Sequence, residues 1–290
     1  SPYQASPIYD LVVRYFDKMQ KEYGWGSNFL YYIGAQNDVN PTYVQNLLSD
    51  ERYGTDEIVG ASEYLSNAKS SSYNGKVLEQ ALKLNDQIDI EEDGSNELIG
   101  RFDNREVLII GGGESVLKYK NGILGYISEH NPIVLSINVN KNVPVEYVDY
   151  YIISHNAKFL AERSKYKALT KPIILPKHRF NKDELAYLNP EIKVFDYGLR
   201  IEEDIYDIAD TRCTIPSELT VGYAIAAAFI GNASSIKLVG FDGFEKGDNR
   251  QQEMVDLFIK INEFKQKKEI LSLTPTSYPV KEGSVYAPFI

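Results

Sequence analysis

Residues 107–123, VLIIGGGESVLKYKNGI, run four apolar residues into three glycines and then into helical spacing. A strand apolar at every position is one buried on both faces, as strands are in parallel sheets. Six further runs share that texture: PIVLSIN (132–138), DYYIIS (149–154), PIILP (172–176), IKVFDYG (192–198), SIKLVGFDG (235–243) and EILSLTP (269–275). They alternate with longer helical patterns, the rhythm of strands joined by crossover helices. Residues 101–290 are therefore expected to form an α/β domain with a Rossmann-like, mostly parallel sheet. Within it, SELTVGYAIAAAFIG (217–231) predicts a helix apolar nearly all round and buried against the sheet, with Ser217 as N-cap and Gly231 as stop. Residues 251–267 predict an amphipathic helix with Met254, Val255, Phe258 and Ile261 inward.

The texture before residue 100 differs. Ile8, Leu11, Val12, Tyr15, Phe16 and Met19 recur at helical spacing, and residues 1–85 are expected to be a small all-α domain. Ser27, Asn40 (with Pro41 at the first helical position) and Thr55 are its candidate N-caps. Residues 89–96, DIEEDGSN, have linker composition, which puts a linker at 86–100.

The 31 Lys and Arg against 41 Asp and Glu leave a net charge of −10, which disfavours nucleic acid as a partner. The most hydrophobic stretch is shorter than the roughly 18 residues a membrane span needs, so none is expected. A single cysteine, Cys213, can form no internal disulfide, consistent with a cytoplasmic protein. Three histidines (His130, His155, His178) and one cysteine share no ligand spacing, so no metal site is expected.

The chemistry is expected where strands end. Open α/β sheets bind ligands beyond the carboxyl ends of their strands. A glycine turn leading into a helix leaves backbone N–H groups for an anion, and a phosphate is the natural guest of Gly111, Gly112, Gly113 and Ser115. The spacing is neither the dinucleotide fingerprint nor a Walker loop, and a plain packing turn explains the glycines equally well. Glu114 would compete with a phosphate for the same amides. Asn138, Asn140, Ser154, His155, Asn156 and Asp242 converge on one rim if the sheet is parallel, and they suit neutral recognition of hydroxyls or a base edge. His155 and Asp242 are the candidates for acid–base work, although turn chemistry selects the same residue types.

The blocks VLIIGGGESVLKYKNGI, PIVLSINVN, TVGYAIAAAFIG, IKLVGFDGF and ILSLTPTSY resemble those of the bacterial sialyltransferase fold of surface-glycan biosynthesis, over residues 101–280. That resemblance implies a CMP or CMP-sugar ligand. Gly111, Gly112, Gly113 and Ser115 would lie near its phosphate, Asn138 and Asn156 near the ribose or sugar, and Thr220 and Gly222 on the helix facing the nucleotide. Glu114 replaces a usual proline, and no histidine follows His178 to match the family's later catalytic one. Separately, residues 23–65 resemble the helical segment that follows the TIM barrel in aldolases of the 4-hydroxy-2-oxovalerate and HMG-CoA lyase type. This implies the C-terminal part of a larger aldolase-like protein, with residues 1–85 as a dimerisation or partner-enzyme contact. The leading expectation is a nucleotide or nucleotide-sugar binding module. An active glycosyltransferase using His155 or Asp242, and a structural domain without ligand, are the alternatives.

Overall fold

The computed structural model describes residues 93–155, 159, 163–180, 185–245, 248–264 and 268–287. The expected helical domain, its aldolase-like segment and Asn156 lie outside the described residues.

In chain order the strands are β1 (Glu106–Ile110), β2 (Ile133–Ile137), β3 (Tyr150–Ile152), β4 (Ile173–Leu175), β5 (Val194–Asp196), β6 (Gly198–Ile201), β7 (Asp207–Ile208), β8 (Arg212–Ile215), β9 (Ser235–Val239), β10 (Glu269–Ser272) and β11 (Lys281–Glu282). Helices are α1 (Ser115–Lys118), α2 (Lys120–His130), α3 (Arg163–Lys167), α4 (Thr220–Ile230) and α5 (Asn249–Glu263). Eight strands form one sheet in the order β11-β10-β9-β1-β2-β3-β4-β5, and every pairing in it is parallel. The expected α/β, Rossmann-like architecture is present, and all seven runs read as strands are strands of this sheet.

Both faces of the sheet are covered, which is why its central strands are apolar throughout. Val107 and Ile109 face a core shared with α4, whereas Leu108 and Ile110 face Ile123 and Tyr126 of α2. Helix α4 is buried from Val221 to Phe229 because it is the middle of three layers. The main sheet lies on one side, with a small second sheet (β6-β8-β7) and Leu257 of α5 packed on the other. That second sheet had no counterpart in the sequence reading.

Several local expectations are corrected. Residues 93–100, expected as linker, belong to the α/β domain: Asp93 pairs with Arg212 at 3.0 Å, Gly94 N–H donates to Thr211 O at 2.9 Å, and Leu98 joins the core. Ser217 does not cap α4, which starts at Thr220 with Leu219 in the cap position and no side-chain cap bond. Gly231 ends α4 as expected, but with φ −68. Its glycine is needed because a Cβ there would strike the buried Phe102 ring. Helix α5 runs 249–263 rather than 251–267, capped by Asp248, whose carboxylate accepts from Arg250 N–H. Met254, Phe258 and Ile261 are buried in it and Val255 packs half-buried, as read.

Candidate functional site

From β1 the chain moves to β2 on one side, while β9 enters on the other side of β1 and leads away to β10. The loops after β1 and β9 therefore part in opposite directions, and the crevice above this topological switch point is where open parallel sheets hold ligands. A cavity of about 310 Å³ opens there, lined by Glu114, Ser115, Lys118, Tyr119, Asp242, Pro275, Thr276 and Ser277.

Asp242 forms its base. Gly240 (φ +79) and Gly243 (φ +125) give the backbone turns that bring this carboxylate back over the glycine turn of β1. It accepts the backbone N–H of Ser115 at 2.8 Å and also the Ser115 hydroxyl. Ser115 Oγ lies 3.2 Å from Thr274 Oγ1, which in turn accepts Gly240 N–H at 3.1 Å. The consistent assignment is that Thr274 donates to Ser115 and Ser115 donates to Asp242.

Three of the amides that the glycine turn was expected to offer a phosphate, those of Gly111, Gly113 and Ser115, have partners within the fold. The helix expected after the turn begins as the four-residue α1, and Tyr119 separates it from α2. The Ser115 amide is taken by Asp242, while Gly111 and Gly113 N–H donate to Val239 O and Gly240 O. A Cβ on Gly111 would stand 2.5 Å from Gly240 O, and one on Gly113 would stand 2.7 Å from Asp242 Cγ. These two glycines thus serve close packing between the β1 and β9 loops. Gly112 is exposed with open space beside its Cα. Glu114 is exposed and makes no side-chain cap bond.

The other rim residues divide into two groups. Asn140 donates to Gly111 O at 2.8 Å and accepts Asn142 N–H at 2.9 Å, so it ties the β2 loop to the glycine turn. Asn138, in the left-handed region at φ +55, donates its N–H to Ile152 O, and its buried Oδ1 has no hydrogen-bond partner among the described residues. At the end of β3, Ser154 and Thr220 hydroxyls meet at 2.9 Å, which fixes the head of α4. His155 is buried beside them and outside the cavity lining. At about 4.8 Å per strand, β3 stands roughly 14 Å from β9, the strand before Asp242, so His155 and Asp242 do not form one catalytic pair. Gly222 faces away from the rim: a Cβ there would stand 3.0 Å from Leu257 Cδ1, and its carbonyl accepts Tyr206 OH.

Residues absent from the sequence reading complete the cavity. Lys118 and Tyr119 come from α1 and the turn after it, with Lys118 Nζ 5.3 Å from the Tyr119 ring centroid. Lys118 forms no ion pair among the described residues. Thr276 donates to Phe241 O at 2.7 Å, and Gln251 joins Phe244 N–H to Ser277 Oγ, so the β9 and β10 loops are held together. The signal for this wall was LSLTPTSY, whose Thr-Pro-Thr-Ser run also reads as a turn.

A carboxylate has about four acceptor positions. Ser115 fills two of those on Asp242, which leaves the rest for donors in the cavity. The half-buried carboxylate, the hydroxyls of Ser115 and Ser277 and the Tyr119 ring are suited to a hydroxylated ligand. No protein-family model matches the chain, and no curated protein matches it. Among the described residues, no helix is long and apolar enough to cross a membrane.

Proposed function

We propose that the α/β domain binds a nucleotide sugar at the carboxyl rim of its parallel sheet. The observation that carries this reading is the cavity over the β1/β9 switch point, with Asp242 holding acceptor capacity toward it. Asn138 Oδ1 and Ser217 Oγ add support, because both are buried at the same rim without hydrogen-bond partners among the described residues. Buried polar atoms of this kind ordinarily find a partner, and a ligand would supply one. The resemblance of residues 101–280 to CMP-sugar enzymes points the same way.

Thermal-shift and calorimetric titration of the 290-residue chain with CMP, UDP, GDP and their sugar conjugates tests the reading. Saturable binding of at least one is expected, and no shift or heat with any of them at millimolar concentration overturns it. A second reading, sugar transfer with Asp242 as base, is favoured by the position of that carboxylate in the cavity wall. Release of free nucleotide from a bound conjugate, abolished in Asp242→Asn, separates transfer from binding. The free buried thiol of Cys213 fits a cytoplasmic protein. Service to an aldolase-like protein rests on residues 23–65 alone, and an upstream barrel with His-x-His ligands in the same reading frame is its test.

A further inference from the structure

Resting on the nucleotide-sugar reading, we infer that the cavity takes the sugar, inward against Asp242 with its phosphate outward at Lys118, and that it selects an uncharged sugar over an acidic one. Three observations converge on this orientation.

The first is size. Pockets for small molecules span roughly 300–1,000 Å³. At about 310 Å³ this one has room for a single ring and its substituents, and a whole nucleotide sugar must extend beyond it. The second is depth and polarity. Ser115 is 5% exposed and forms the floor with Asp242, whereas Glu114, Lys118 and Ser277 are exposed and form the mouth. At the floor the available group is an acceptor, which matches sugar hydroxyls. It repels phosphate and carboxylate oxygens, which have no proton to give it. Lys118, the cation among the described lining residues, is at the mouth, where a phosphate remains hydrated and still gains a counter-charge. The Tyr119 ring beside Lys118 offers a flat apolar face of the sort that packs against the C–H face of a sugar.

The third is the second carboxylate. Among the described residues, Glu114, Asp242 and Lys118 are the charged groups that line the cavity, so a sugar bearing its own carboxylate would meet two like charges for each opposite one. Like-charge contacts of this type discriminate against the wrong ligand. This separates the site from the acidic donor sugar of the sialyltransferases that residues 101–280 resemble.

A matched pair of probes reads the preference. Calorimetry of the full chain with UDP, UDP-glucose and UDP-glucuronic acid, the last two differing at one sugar carbon, is run beside CMP and CMP-N-acetylneuraminic acid. We expect UDP-glucose to bind at least about tenfold more tightly than UDP, since a hydrogen bond to a charged acceptor contributes that much. UDP-glucuronic acid and CMP-N-acetylneuraminic acid should gain nothing over their nucleotides. Asp242→Asn should erase the glucose gain over UDP. Because Asn at 242 also touches the Ser115 bonds, the exposed Glu114→Gln provides a second reading: it should narrow the gap between glucose and glucuronic acid. An acidic sugar that binds more tightly than its nucleotide, or a glucose gain that survives Asp242→Asn, overturns the inference and leaves nucleotide-sugar binding standing. Binding of no nucleotide and no conjugate overturns both.

Discussion

Asp242 accepts both the backbone N–H and the hydroxyl of Ser115, a residue 127 positions earlier in the chain. One carboxylate thus joins the loops after β1 and β9 at the point where the strand order reverses, and at the same time forms the floor of the cavity.

Removing the hydroxyl tests that joint. Ser115→Ala deletes the side-chain donor to Asp242 and the contact with Thr274, at an expected cost of about 1.5–3 kcal/mol for a hydrogen bond to a charged group. Urea denaturation measures it, and an unchanged midpoint would show that the bond contributes nothing to stability.

The three consecutive glycines should behave differently from one another. Gly111→Ala places a methyl 2.5 Å from a backbone carbonyl, and Gly113→Ala places one 2.7 Å from Asp242 Cγ, so each should cost about 1–3 kcal/mol. Gly112→Ala meets open space and should stay within about 0.5 kcal/mol of wild type. Equal losses at all three positions would mean that conformational freedom, not close packing, selects these glycines.

Arg179 and Glu218 form an ion pair 3.1 Å long with both side chains almost fully buried, just before α4. Glu218→Gln breaks this buried pair and should cost about 3–5 kcal/mol, whereas exchanging both residues for methionine should recover most of it. Melting curves of the single and double variants decide, and a single variant as stable as wild type rules out the pair as an anchor for the α4 head.

Much of this architecture was legible because β1, β2 and β4 are apolar at nearly every position, a pattern that a sheet covered on both faces produces. Strands β6 to β8 were not, since GLRI and RCTI mix charge with apolar residues over four positions and resemble loop. Ser217 looked like a helix cap, but the neighbouring Glu218 is held by Arg179 and the chain turns helical only after Leu219. The rim itself could be read, because parallel strands all end on one side. Which groups would meet there could not: the bond from Ser115 to Asp242 spans 127 residues, and its effect is to occupy an amide that local sequence left open for phosphate.

Burial raises the Cys213 thiol well above its ordinary range, which keeps it protonated and unreactive. Iodoacetamide at pH 8 should leave the folded chain unlabelled and modify it fully in guanidinium chloride, as read by mass spectrometry. Labelling of the folded protein at the rate of a free thiol would contradict the buried position.

The most direct measurement is a crystal structure of the chain with a nucleotide sugar that binds it. Density for the sugar should lie in the cavity between the β1 and β9 loops, with a hydroxyl within hydrogen-bond distance of Asp242 and a phosphate near Lys118. A ligand seated elsewhere, with this cavity holding only water, would contradict the account.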